Sequence, residues 1–209
     1  MNNKIKIDFS TIIYDEKNAK KILKSLSKKR KIADLFHRKI TVEEINKKNE
    51  NIHKLKNQYE YDIYVAVNTI QIDDKVQRYN YLYDEICYYL DHVCVQDNIC
   101  EFKNNKCLAK RKTDVLMGCC HHYSDKKFGM LYQKNMVPCE YLGEKGCTTS
   151  AIGCKMFMCD EINKKGYKYT VYNVLLIRYF FNFIQKIIIK TGIFDSKENI
   201  LNRIEKCIF

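Results

Sequence analysis

Apolar side chains recur at helical spacing along much of the chain. After Asp15, apolar residues follow an i, i+3, i+4, i+7 stripe while lysines occupy the other face, which predicts a helix. The stripe consists of Ala19, Ile22, Leu23 and Leu26. A longer stripe predicts a buried helix farther on and consists of Val76, Tyr79, Leu82, Tyr83, Ile86, Tyr89, Leu90 and Val93. These patterns predict a mainly α fold, in which helices form a scaffold.

A further helix is predicted to start at Thr41. The residues from Thr41 to Glu44 match a capping box, in which the threonine hydroxyl and the glutamate carboxylate satisfy free amides at a helix start. A thin apolar stripe follows and consists of Val42, Ile45, Ile52 and Leu55. Such a helix would be exposed.

Three later segments complete the pattern. Residues 61–72 alternate like a strand but contain no helix breaker, and we favour a helix. Residues 169–190 are mostly apolar and of helical length, but polar residues such as Arg178 interrupt them, which favours a core helix over a membrane span. A final helix is expected after Asp195, with Ile200, Leu201, Ile204 and Ile208 on one face.

The middle of the chain has a different character. Six of the seven glycines and the only proline lie within residues 98–166, which predicts a loop-rich segment. No repeat or low-complexity linker divides the chain. We therefore expect one domain over residues 1–209, with a helical scaffold at 1–97, a cysteine-cluster segment at 98–166 and C-terminal helices at 167–209.

The chain is basic, with a formal net charge of +12. Residues 1–60 carry 16 Lys and Arg against 8 Asp and Glu, so a basic N-terminal arm could bind nucleic acid or an acidic partner. A solvated helix face around Lys28–Lys31 is the plainer interpretation, and we favour it. The first residues lack an apolar run of signal-peptide length, which predicts a cytoplasmic protein.

Cysteines are the strongest chemical signal. The chain has 11 cysteines, and eight of them fall within about 60 residues. These eight are Cys100, Cys107, Cys119, Cys120, Cys139, Cys147, Cys154 and Cys159. In a reducing cytoplasm such cysteines are metal ligands or catalytic groups rather than disulfides, while a secreted disulfide-linked module is the alternative.

The spacing of these cysteines bears on the metal. Structural zinc sites use ligand pairs two to four residues apart, and only Cys154 and Cys159 come near that spacing. No C-x2-C pair is present, so ligands must converge from separate loops. We favour an iron-sulfur cluster, 4Fe-4S, over zinc. A nucleophilic cysteine enzyme using Cys119 or Cys120 with His121 or His122 is a further alternative.

The arrangement of several of these cysteines and their neighbours resembles that of a known family. The Cys119-Cys120 pair, the run from Pro138 to Cys147 and the run Gly153-Cys154-Lys155-Met156-Phe157 resemble the YkgJ-like family of zinc- or iron-chelating cysteine-cluster proteins. The resemblance spans about 60 of the 209 residues. The family places its first cysteines closer to the pair than Cys100 and Cys107 lie here.

The resemblance implies a function that the residues alone do not define. Iron-sulfur proteins that methylate flagellin lysines carry a similar cysteine block, which implies a redox or cluster-dependent modification of a protein substrate or redox partner.

Lys155 and Phe157 are the candidate cofactor-binding residues, because a cation offsets thiolate charge and an aromatic ring excludes water. His121 and His122 are the best candidates for a ligand other than sulfur. The alternative function is a non-enzymatic zinc protein whose basic N-terminal helices bind nucleic acid or an acidic partner.

Overall fold

The structure of the protein is a computed structural model. It describes residues 3–47, 51–96, 102–103, 106–107, 121–123, 136–138, 141–143, 146–156 and 163–207. Helices dominate these residues, so the predicted mainly α class is confirmed. The chain divides into two compact units. Unit 1 comprises Met1–Glu85 and Val171–Lys186, and unit 2 comprises Ile86–Thr170 and Ile187–Phe209. The expectation of a single domain stays a prediction.

Unit 1 contains a pair of parallel strands. β1 (Asn3–Asp8) pairs with β2 (Ile40–Ile45), with Asn3 opposite Ile40 and Asp8 opposite Ile45. The prediction of a helix starting at Thr41 is therefore wrong. Four of the six β2 residues are β-branched, which favours a strand, and β1 supplies the backbone partners that complete it. A capping box contributes to only one helix terminus and does not outweigh this ladder.

The helix predicted after Asp15 is confirmed. α1 (Glu16–Leu35) starts where the Asp15 carboxylate accepts a hydrogen bond from the Asn18 amide at 2.7 Å. Its buried face includes Ala19, Leu23 and Leu26, as the stripe predicts. α1 packs against the next helix of unit 1 and against a later one.

Two more long helices follow. α2 (Gln58–Gln71) confirms the helical interpretation of residues 61–72, and the side chain of Asn57 caps its start. A short 3-10 helix, Ile52–Lys54, precedes it where the predicted apolar stripe had continued. α3 (Lys75–Gln96) confirms the second long stripe, although Val76 at its start is 40% exposed.

Unit 1 buries a network of charged side chains. Arg78 Nη1 and Nη2 donate to the Asp34 carboxylate at 2.6 and 2.9 Å, and Arg30 Nη2 lies 2.7 Å from the same carboxylate. Burial raises the pKa of Asp34, but hydrogen bonds and charge from Arg78 and Arg30 outweigh it and hold this pKa below its ordinary value. Arg30 Nη1 also donates to the Ile70 carbonyl at the end of α2, at 3.1 Å. The network therefore fastens α1, α2 and α3 together.

A second polar cluster of unit 1 surrounds Glu85. The Tyr61 hydroxyl donates to Glu85 Oε2 at 2.5 Å, and His53 Nε2 lies 3.0 Å from the same oxygen. Burial first, and then the hydrogen bond with Glu85, raises the pKa of Tyr61 far above its ordinary value. The cluster joins the 3-10 helix to α2 and α3.

The apolar segment 169–190 is two helices rather than one. α5 (Leu175–Phe180) ends before Phe181, and α6 (Phe183–Thr191) begins a turn later. The Asn182 side chain accepts from the Gln185 amide at 2.9 Å, and the Gln185 side chain accepts from the Asn182 amide at 2.9 Å. This reciprocal capping box starts a new helix, and its signature was missed in the sequence. None of the helices within the described residues is long and apolar enough to cross a membrane.

Among its described residues, unit 2 holds the C-terminal half of α3 and two smaller helices. α4 (Ile152–Met156) carries part of the cysteine block. α7 (Lys197–Glu205) is capped by Ser196 and buries Ile200, Leu201 and Ile204, which confirms the final predicted helix. Ile208 lies outside the described residues. The rest of the described cysteine segment forms short hairpins.

Candidate functional site

Three antiparallel strand pairs carry the described part of the cysteine segment. The first joins β3 (Phe102–Lys103) to β4 (Lys106–Cys107), the second joins β5 (His121–Tyr123) to β6 (Met136–Pro138), and the third joins β7 (Leu142–Gly143) to β8 (Gly146–Cys147). Each strand is only two or three residues long. These pairs determine which parts of the cysteine segment lie opposite one another near the predicted ligands.

The first and third pairs have the same register. Cys107 ends β4 opposite Phe102, and Cys147 ends β8 opposite Leu142. In both cases a cysteine lies opposite an apolar residue five positions earlier. The two sequences are also alike, because Cys-Glu precedes each pair: CEFKNNKC contains the first and CEYLGEKGC contains the third. This short internal repeat is a signal that the sequence analysis missed.

The second pair brings two distant parts of the segment together. His121 lies opposite Pro138, and Tyr123 lies opposite Met136. The residues next in sequence to the first of these pairs are Cys120 and Cys139. Those two cysteines lie outside the described residues, but the chain positions that flank them are neighbours.

Hydrogen bonds extend the third pair by one position. The Thr148 amide donates to the Tyr141 carbonyl at 2.8 Å, and the Thr148 hydroxyl donates to the same oxygen at 3.0 Å. The buried Thr149 side chain then accepts from the Ala151 amide at 3.2 Å, just before α4. The chain therefore passes from Cys147 to α4 through a fixed connection.

Cys154 is buried and hydrogen-bonded within unit 2. Its Sγ accepts a hydrogen bond from the backbone amide of Phe194 at 3.0 Å. Phe194 has a φ of 60°, in the left-handed region that a residue with a side chain seldom adopts. Gly153 allows the close approach, because a Cβ there would lie 2.6 Å from the Ile189 carbonyl oxygen. A backbone amide directed at sulfur is the kind of contact that tunes a metal-bound thiolate.

Lys155 is also buried on α4. Only 5% of its side chain is exposed, and its Nζ forms an ion pair with the Asp91 carboxylate of α3. Lys155 is therefore not a solvent-exposed lysine. Asp91 was not singled out in the sequence, because 64 residues separate it from Lys155 and no local pattern links the two. A role for Lys155 toward a cofactor stays a prediction.

Cys87 lies outside the cysteine block but within unit 2. It is half-buried on α3, and its Sγ donates to the Ser150 carbonyl at 3.3 Å. It therefore helps to hold the start of α4 to α3. For Cys94 on the same helix, and for His121 and His122 on β5, the described features are confined to the backbone.

The remaining predicted ligands lie outside the described residues. They are Cys100, Cys119, Cys120, Cys139 and Cys159, together with the candidate cofactor-binding residue Phe157. For Cys107 and Cys147 the strand and its register are described, but their side chains are not. Within the part of the chain that the structure describes, no group of three or more His, Cys, Asp or Glu side chains could hold a metal ion.

Comparison with known proteins adds no relative. No family model, no curated protein and no solved structure matches the chain. The resemblance to the YkgJ-like family therefore stays a prediction, carried by the residues quoted above.

Proposed function

We propose that the protein is a cysteine-ligated metalloprotein that binds an iron-sulfur cluster, 4Fe-4S, through the cysteine block. The observation that carries this proposal is the set of three strand pairs, each of which has a predicted ligand at its end or directly beyond it. Cys107 and Cys147 end their strands, and the pairing of His121 with Pro138 flanks Cys120 and Cys139.

Strand pairing supports convergence of the sulfurs. In an antiparallel pair the Cα atoms of opposed residues lie about 4.5 to 5.5 Å apart, so the pairing of His121 with Pro138 brings together the chain positions that flank Cys120 and Cys139. Four of the eight predicted ligands lie at or next to the three pairs: Cys107, Cys120, Cys139 and Cys147. A fifth, Cys100, lies two residues before the first pair. Ligands that arrive from separate hairpins agree with the absence of C-x2-C pairs in the sequence.

Cys154 supports the proposal in a different way. A buried sulfur that accepts a backbone amide at 3.0 Å is suited to carry negative charge, because the amide dipole stabilises a thiolate. Iron-sulfur clusters are held by thiolates and are tuned by such hydrogen bonds. Lys155 follows it on α4, and the ion pair of Lys155 with Asp91 holds this helix to α3.

The biological role follows from the resemblance alone. We propose a redox or cluster-dependent modification of a protein partner, in the reducing cytoplasm that would keep these cysteines as thiols. The alternative is a zinc protein without enzymatic activity. It differs from the first proposal in an observable way, because zinc thiolates are colourless.

Single serine substitutions test the assignment of ligands. We expect Cys107→Ser and Cys147→Ser each to lose more than half of the iron and acid-labile sulfide of the wild-type protein purified without oxygen, because a hydroxyl is a poor substitute for a thiolate ligand. Cys207→Ser is the matched control, since Cys207 lies beyond α7 and outside the block. Iron and sulfide contents that are the same in all three variants and in the wild type would contradict this ligand set.

A further inference from the structure

One face of α1 is a row of lysines. Lys17, Lys21, Lys24, Lys28 and Lys31 recur at intervals of four and three residues, so they form one stripe along the helix, and all five are exposed. From Lys17 to Lys31 the stripe covers 15 residues, and its ends lie about 21 Å apart at 1.5 Å per residue. We call these five residues the lysine stripe.

The lysine stripe has no acidic partners among the described residues. α1 contains only two acidic side chains, and both are engaged elsewhere: Glu16 pairs with Lys20 at 2.5 Å, and Asp34 binds Arg30 and Arg78. Like charges at i, i+3 and i+4 destabilise a helix. The fold therefore sustains an unfavourable arrangement of charge along α1, where acidic residues at intervening turns would have relieved it.

Two further cations from other helices of unit 1 join the end of the stripe. α1 is fastened beside α5 by the Ser27 hydroxyl, which donates to the Tyr179 carbonyl at 2.6 Å. Lys186 Nζ donates to the Arg178 carbonyl at 2.6 Å. Burial, and then the positive charges of Lys31 and Arg178, lower the pKa of Lys186, so these three cations repel one another at close range.

We propose that the lysine stripe, together with Arg178 and Lys186, binds the sugar-phosphate backbone of a nucleic acid. A row of positive charges complements a row of negative charges. The lysines follow one another every 4.5 to 6 Å or so along the helix axis, and a nucleic acid strand carries one phosphate for about every 3.4 Å of its axis. The row of lysines therefore complements the charge of a linear polyanion. It does so whatever the base sequence, because lysine contacts to phosphate carry no sequence information.

The shape of the cationic surface favours nucleic acid over other anionic partners. An anionic membrane is a plane, and an interfacial helix presents large apolar residues beside its cations. The lysine stripe runs for about 21 Å along α1, and the large exposed apolar side chains of this helix, Ile32 and Leu35, lie only in its last turn, after Lys31. An acidic protein segment would offer carboxylates at irregular spacing, whereas phosphates repeat without interruption. Aromatic support is also present, since the Arg178 guanidinium lies 5.6 Å from the centre of the Tyr179 ring.

A triple substitution tests the proposal. The full-length chain carrying Lys21→Gln, Lys24→Gln and Lys28→Gln is titrated against a fluorescent mixed-sequence DNA duplex, with anisotropy measured over a range of salt concentrations. Because each phosphate contact contributes about 0.9 to the slope of log affinity against log salt, the slope should fall by about 3. At about 0.1 M salt the affinity should fall more than about tenfold.

A matched variant separates position from net charge. Lys54→Gln, Lys56→Gln and Lys75→Gln remove the same charge from three exposed lysines of unit 1 that lie off the stripe. This control should retain the wild-type affinity within about twofold. The iron content should be the same in all three proteins, so the outcome is independent of the proposed cluster.

Several results would overturn the proposal. They are an equal loss of affinity in both triple variants, wild-type binding that does not weaken with salt, and no wild-type binding to the duplex at low salt. Binding to phosphatidylserine vesicles or to polyglutamate that is tighter than binding to the duplex would also overturn it, since the stripe would then serve a different partner.

Discussion

The helical part of unit 1 and the hairpins of unit 2 are stabilised by different means. In unit 1, α1, α2 and α3 bury apolar faces, and the buried arginines have partners within the same unit: Arg30 and Arg78 share Asp34. In unit 2, the described cysteine segment consists of strand pairs two or three residues long. A two-stranded hairpin is at best marginally stable by itself. The described strand pairs therefore gain little stability from their own pairing, and the cluster proposed above would add to it.

The largest expected effect lies in the charge network of unit 1. Asp34→Ala should lower the free energy of unfolding by about 3 kcal/mol, because it leaves two buried guanidinium groups without their shared carboxylate. The measurement is chemical denaturation followed by circular dichroism. Glu16→Ala, which removes an exposed i, i+4 pair on the same helix, should cost less than about 0.5 kcal/mol. Equal losses in the free energy of unfolding for the two variants would show that the buried network stabilises the fold no more than the exposed pair does.

The buried carboxyl of Asp62, also in unit 1, should make the free energy of unfolding fall as the pH rises. Asp62 is fully buried, its Oδ2 has no hydrogen-bond partner, and burial raises its pKa to about 8 from an ordinary value of 3.8. Asp62 is therefore protonated in the folded chain and ionised in the unfolded chain between about pH 4 and pH 8. Over this window the unfolded state binds fewer protons, so stability falls as the pH rises.

Asp62→Asn tests this sign. The variant should be more stable than the wild type by about 2 kcal/mol at pH 8, and the two should converge below about pH 4, where Asp62 becomes protonated in the folded and in the unfolded wild type. Denaturation at a series of pH values measures the difference. A difference that does not depend on pH would show that Asp62 does not titrate in this way.

A smaller effect is expected in unit 2, beside the cysteine block. Gly153→Ala places a Cβ about 2.6 Å from the Ile189 carbonyl oxygen, and α4 must shift to accept it. The cost should be about 1 to 2 kcal/mol, as for other overpacked sites. Because Cys154 follows directly, bound iron should fall as well. Ser150→Ala changes a neighbouring exposed side chain and should leave both the free energy of unfolding and the bound iron unchanged. If Ser150→Ala lowered them as much as Gly153→Ala does, close packing at Gly153 would not explain the loss.

Local patterns predicted the helices well and the long-range pairs poorly. Asp15 and its stripe predict α1 because a cap and an apolar face are both encoded within a few residues. Thr41 is the instructive failure: a capping box and a run of β-branched residues coincide there, and the choice depends on β1, more than 30 residues away. Asn182 and Gln185 did carry a local signal, a capping box hidden within an apolar run.

In the candidate site, too, local features could be predicted from the sequence and long-range contacts could not. The cysteines and their resemblance to a metal-binding family could be found in the sequence, and so could the short repeat around Cys107 and Cys147. The partner of Lys155 could not, because Asp91 lies on a different helix. The amide of Phe194 at Cys154 likewise depends on a left-handed residue 40 positions away.

The central claim is that the cysteine block binds an iron-sulfur cluster. The most direct test is to purify the full-length protein without oxygen and to measure iron, zinc, acid-labile sulfide and visible absorption on the same sample. We expect a brown protein with about four iron and four sulfide per chain, as a 4Fe-4S cluster requires. A colourless protein with stoichiometric zinc, or one that contains neither metal, would contradict the claim.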